Sequence, residues 1–150
     1  MSNIAFPPEF LAQIAEDSLT PGQVFRTVVQ HPDGESSPKR VVVLTSNNSE
    51  TVLGVVSTTK VERRQYYGDW GVLIPAGSDP VFEEESFIEL FRVYMFPTEK
   101  IQQLYINKKL HFLGTMSENY LLQIYDGVKT SATIPEVDKN RIESERGVGV

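Results

Sequence analysis

The densest group of reactive side chains in this sequence is the run Lys60-Val61-Glu62-Arg63-Arg64-Gln65-Tyr66-Tyr67, three cations against one carboxylate with two aromatic rings directly after. Cations match phosphate oxygens and tyrosine faces stack on unpaired bases, so the run is a footprint for single-stranded nucleic acid. It reads equally as a solvated loop whose tyrosines fold back over the domain. Two more polar segments are expected at the same end of the fold, the His31–Arg40 loop and Thr58-Thr59-Lys60 at the close of a strand. Other chemistries are thinly represented. No GxSxG, HExxH, phosphate-cradling glycine loop or EF-hand pattern occurs. The absence of cysteine excludes disulfides, thiolate catalysis and Cys-ligated metals. Two histidines, His31 and His111, are too few for a His-rich metal site. Glu83-Glu84-Glu85 reads as a solvated acidic run, so no metal and no cofactor is expected. His111, between Leu110 and Phe112, reads as a packed structural histidine.

These side chains need a scaffold, and 150 residues with 40% hydrophobic content supply one domain with a real core. A net charge of −6 excludes a general basic coat for nucleic acid but leaves room for a local basic groove. Residues 1–20 are expected as a helical extension, with Pro7 and Pro8 in the first turn, an apolar stripe of Phe10, Leu11 and Ile14, and a stop at Thr20-Pro21-Gly22. From Gly22 the period becomes two, and strands are expected over 23–30, 41–45, 51–58, 70–74 and 86–96. Gly54 hints at a sharp bend or bulge, and the last strand is expected to bend before Pro97. Helical spacing returns after Thr98 and again over Glu118–Val128, with Ser117 as its cap. Trp70 is expected in the core or at a dimer seam. The pattern describes a mainly β domain over 21–130, a small, strongly bent antiparallel barrel with a closing C-terminal helix. Residues 131–150, polar and with little bulk, are expected as a flexible tail. The first eight residues lack a secretory pattern and no run of apolar residues is long enough to span a bilayer, so no membrane association and a cytoplasmic location are expected.

Five elements in order resemble the MazF/PemK toxins, sequence-selective endoribonucleases of bacterial toxin–antitoxin systems. Gly22-Gln23-Val24-Phe25 is similar to the family's opening strand, and Lys39 to Ser46 to its Arg-bearing second strand. Val52 to Thr59 resembles the strand that ends on threonines, although Val41 and Val56 stand where the family has proline. Ser86 to Phe91 and Leu113-Gly114-Thr115-Met116-Ser117-Glu118 match the later strand and the entry to the closing helix. The resemblance implies a homodimer of SH3-like barrels that clasps single-stranded RNA, cuts it without metal, and accepts an antitoxin peptide along the same groove. It carries catalysis to Arg40 and Thr58. A guanidinium is always charged and can clamp the non-bridging oxygens of a phosphodiester as negative charge grows, while a threonine hydroxyl adds one hydrogen bond. His31, or Glu35, would move the proton. Lys39, Thr59, Lys60, Arg63, Arg64, Tyr66 and Tyr67 would hold the strand. The rival reading is a module on the same barrel that binds nucleic acid or protein without cutting, either a degenerate toxin relative or a toxin with a protein target.

Overall fold

The computed structural model describes residues 6–30, 34, 36–47, 50–59 and 70–146. Helix α1 (Pro8–Ser18) begins where its sequence predicts, since proline in the first turn forfeits no helical hydrogen bond. Strands β1 (Gln23–Gln30) and β2 (Ser36–Val43) then form a long antiparallel hairpin whose register runs from Val24 opposite Val42 to Gln30 opposite Ser36. β2 therefore starts five residues before the strand expected at Val41. The cause is that Ser36 to Pro38 run past the end of the next strand, where the missing proline N–H costs no ladder bond.

β3 (Thr51–Thr58) organises the sheet. One edge pairs with β2, Val41 opposite Val56 to Val43 opposite Gly54. The other edge is shared: β6 (Tyr94–Pro97) pairs with its first half and β5 (Ser86–Glu89) with its end. The single strand expected over 86–96 is thus two, broken at Leu90–Val93 so that both pieces can follow the twist of one partner. β4 (Gly71–Ile74) pairs outside β5, and β7 (His111–Thr115) outside β1. The strands make one seven-stranded antiparallel sheet in the order β4-β5-β3-β2-β1-β7, with β6 branching from β3. Among the described residues β4 and β7 do not meet, so the sheet is not closed into a barrel.

Helices cover both faces of this sheet, which explains the unbroken apolar runs in β2 and β3. On one face Phe25, Val41, Val43, Val52 and Val56 pack with Leu19 and with Ile101 of α2 (Thr98–Ile106). α1 lies against α2 on that side, where Gln102 Nε2 donates to the Ala12 carbonyl at 3.1 Å. On the other face Val24, Val42, Leu44, Val55 and Ile88 pack with Ile124, Tyr125 and Val128 of α3 (Glu118–Thr130). Among the described residues four helices make the fold a mixed α/β domain rather than a mainly β one. Gly54 marks close approach rather than a bulge: a Cβ there would lie 2.7 Å from Val41 Cγ1 and 2.9 Å from the Val42 carbonyl oxygen.

The expected flexible tail is corrected over most of its length. Residues Glu136–Arg146 form a fourth helix, α4, whose Ile142 is buried in the same core as Ile124. Polar contacts pin it: Arg141 Nη1 donates to Thr51 Oγ1 at 2.9 Å, Ser46 Oγ to Glu145 Oε1 at 2.7 Å, and Arg146 pairs with Asp126 at 2.7 Å. Its polarity hid it, because one buried isoleucine makes no stripe that a periodicity reading can find. Trp70, expected in the core or at a seam, is 39% exposed. Among the described residues no helix is long and apolar enough to cross a membrane.

Candidate functional site

The apolar face beneath α3 ends abruptly along the β1–β2–β3 ladder. Val24, Val42 and Val55 share it with the core, and two residues along each strand the same face carries Arg26, Arg40 and Ser57. Here the sheet outruns its covering helices and opens into a cleft of about 490 Å³. Arg26, Lys39 and Arg40 line one side; Ser57, Thr58 and Thr59 line the floor and end; Glu84 and Ser86 form the far wall.

Arg26 and Arg40 are directly opposed across the hairpin. Like charges at opposed positions repel by a few tenths of a kcal/mol or more, so this pair needs a compensating partner. The Arg40 guanidinium lies 5.9 Å from the centroid of the buried Phe82 ring, an attraction that fixes its plane without neutralising its charge. Among the described residues no carboxylate forms an ion pair with either arginine. With Lys39, the cleft thus gathers three cations beside the one Glu84 carboxylate, a balance that suits an anionic ligand.

Phe82 and the far wall are held by Asp79. Its buried carboxylate accepts from the Val81 N–H at 2.9 Å and from the Ser117 N–H at 2.7 Å, tying the acidic segment to the start of α3. Ser117 is the cap residue as expected, yet its hydroxyl makes no capping bond and Asp79 serves the helix start instead. Beyond Phe82 the chain turns along the cleft, and Ser86 Oγ donates to the Glu84 carbonyl at 2.9 Å. Glu84 belongs to the acidic run read above as merely solvated; it is exposed and lines the same cleft as Arg40.

Of the residues singled out from sequence, Lys39, Arg40, Thr58 and Thr59 converge on this cleft. His31, Glu35, Lys60, Arg63, Arg64, Tyr66 and Tyr67 lie outside the described residues. The pleat refines the Arg40–Thr58 pairing. One step beyond Val41 opposite Val56, the register sets Arg40 opposite Ser57, and Ser57 Oγ donates to the Arg40 carbonyl at 3.4 Å. Thr58 belongs to the alternate face and is 3% exposed, whereas Ser57, 6% exposed, shares the Arg40 face. The two valines standing in place of the family's prolines, Val41 and Val56, are themselves an opposed, buried pair. Their register sets which hydroxyl shares the arginine's face.

Sequence reasoning missed Arg26, Glu84 and His111. His111 is exposed, not packed, and sits opposite Arg26. Alternation along β1 sets Arg26 on one face with Val24 and Val28, but only the hairpin register puts it beside Arg40. Among the described residues no three His, Asp or Glu side chains converge as a metal site. No protein-family model and no curated protein matches this chain.

Proposed function

We propose that this chain is an endoribonuclease of the MazF/PemK kind that cleaves single-stranded RNA without a metal ion, with the scissile phosphodiester held between Arg40 and Arg26. The observation that carries the reading is the opposed pair of guanidiniums, without a carboxylate partner among the described residues, in an open cleft that also holds hydroxyls and one carboxylate. The ribose 2′-oxygen attacks the adjacent phosphorus, the bond to the 5′-oxygen breaks, and a 2′,3′-cyclic phosphate and a 5′-hydroxyl result. Glu84 accepts the 2′-hydroxyl proton, and the departing 5′-oxygen takes one from solvent. Charge growing on the non-bridging oxygens is met by the two guanidinium forks, and the Ser57 hydroxyl, on the same face, turns from its long 3.4 Å bond to the Arg40 carbonyl to donate to the phosphate. Thr58, the hydroxyl implied by the resemblance, borders the cleft from the other face. The SH3-like barrel part of the reading is supported by β3, one edge of which is shared by two strands as in a sheet that has begun to curl. The homodimer, the antitoxin peptide and the cytoplasmic location rest on the resemblance and the sequence alone.

The test is purified protein incubated with single-stranded RNA in excess chelator. New ends bearing cyclic phosphate, lost in Arg40→Ala while the circular dichroism spectrum is unchanged, are the expected result. Cleavage that stops when chelator is added overturns the reading. A second reading, RNA held without cleavage, is favoured by the burial of Thr58 away from the Arg40 face. It predicts salt-dependent binding with no new ends.

A further inference from the structure

We infer that the anion cleft is one station on a longer track, along which a phosphodiester chain crosses β2, β1 and β7 in turn and meets Arg40, Arg26 and His111 successively. The inference rests on the phosphodiester reading above and deepens it by giving the path of the strand.

The register places the three side chains in one row. Arg26 is opposite Arg40 on β2 and, on its other edge, opposite His111 on β7. Their chain neighbours settle which face the row occupies. Phe25 and Phe112 pack edge to face, ring centroids 6.2 Å apart, in the core beneath α1 and α2. Alternation then turns Arg26 and His111 together to the opposite side of the sheet, the side on which Arg40 meets Phe82. Arg26 and His111 are exposed and Arg40 is half-buried, so the row deepens toward the cleft and opens at β7, an edge strand.

Neighbouring strands lie about 4.8 Å apart, so β2 to β7 spans roughly 10 Å. A phosphate seated in the cleft at Arg40 leaves the His111 end of such a row to a second one, which a chain with repeated phosphates supplies. Among the described residues no carboxylate pairs with any of the three side chains. Val28, on the same face two residues beyond Arg26, is 61% exposed and offers an apolar surface beside the row for a base or ribose. The imidazole gives the open end a donor whatever its charge state, where a lysine or arginine would give a fixed charge.

The experiment uses the full-length chain and a 2′-O-methyl oligouridylate of about eight nucleotides, a length in the range of single-strand binding sites. That ligand cannot be cut, so binding is read apart from chemistry. A 2′-O-methyl dinucleotide with a single phosphate is the short comparison. The expected result is that His111→Glu weakens the longer ligand roughly tenfold and leaves the dinucleotide unaffected. His111→Lys retains the longer ligand, and Arg40→Ala weakens both. Unchanged binding of the longer ligand by both His111→Glu and His111→Ala, with Arg40→Ala still impaired, overturns the track and leaves the cleft standing. Loss of the longer ligand in His111→Lys equal to that in His111→Glu also overturns it. Arg40→Ala binding both ligands as the parent does defeats the phosphodiester reading underneath.

Discussion

Which hydroxyl serves Arg40 is decided by the pleat, and a pair of substitutions reads the answer. Ser57→Ala removes the oxygen on the arginine's own face, and the expected loss of cleavage is about tenfold, near the worth of the hydrogen bond that hydroxyl would give the charged phosphate under the proposed reaction. Thr58→Val preserves volume at a 3% exposed position and should cost less activity than Ser57→Ala. The reverse order, measured as initial rates on one RNA substrate, would return the role to Thr58. Tyr125 offers a second residue-scale test, of the core rather than the cleft. Its hydroxyl donates to the Leu44 carbonyl at 3.0 Å, and burial, with the Glu145 carboxylate adding to it, pushes its pKa from 10.0 up to about 12. Folding thus favours the protonated phenol. That stability is fully present below the unfolded value and is lost as pH rises through the folded one, a window between about pH 10 and 12. Urea midpoints should fall across this window in the parent and fall less in Tyr125→Phe, which itself costs about 1 kcal/mol at neutral pH.

At the scale of elements, β3 and α4 carry the opposite lessons about what a sequence displays. β3 was legible over its full span, Thr51–Thr58, because apolar β-formers run between the turn expected at 47–49 and the polar residues that follow. The break at 90–93 was not, since it depends on two strands sharing one partner. The position of Gly54 was legible and its meaning was not, because close approach depends on which strand lies alongside. Gly54→Ala should destabilise by roughly 1–3 kcal/mol, the ordinary cost of overpacking, since both Val41 and a backbone carbonyl stand in the way. α4 was illegible: eleven mostly polar residues, one buried isoleucine and hydrogen bonds to Thr51 and Ser46 that only the assembled sheet creates. Ile142→Ala should therefore cost about 2–4 kcal/mol in chemical denaturation. A residue in a loosely held tail would cost nothing measurable.

The whole molecule sets an acidic surface, net −6, against a cationic row at one end of its sheet. Long-range attraction of a polyanion is thereby weakened, and recognition must come from contacts within the cleft, which salt screens less than it screens distant charge. Arg40 was singled out through the resemblance of Lys39 to Ser46 to an Arg-bearing strand, although the strand itself was expected to begin only at Val41. Its company could not be found there, since Arg26, Glu84 and Ser57 reach the cleft from three separate segments joined only by strand register and by the Asp79 tie to α3.

Affinity for an uncleavable single-stranded RNA, measured at one salt concentration for the parent, Arg40→Ala and Arg26→Ala, tests the opposed arginines most directly. Each variant should bind at least about tenfold more weakly, with its unfolding midpoint unchanged or raised because a like-charge contact has been relieved. Parent-like affinity in both variants would mean that no phosphodiester rests between these two side chains.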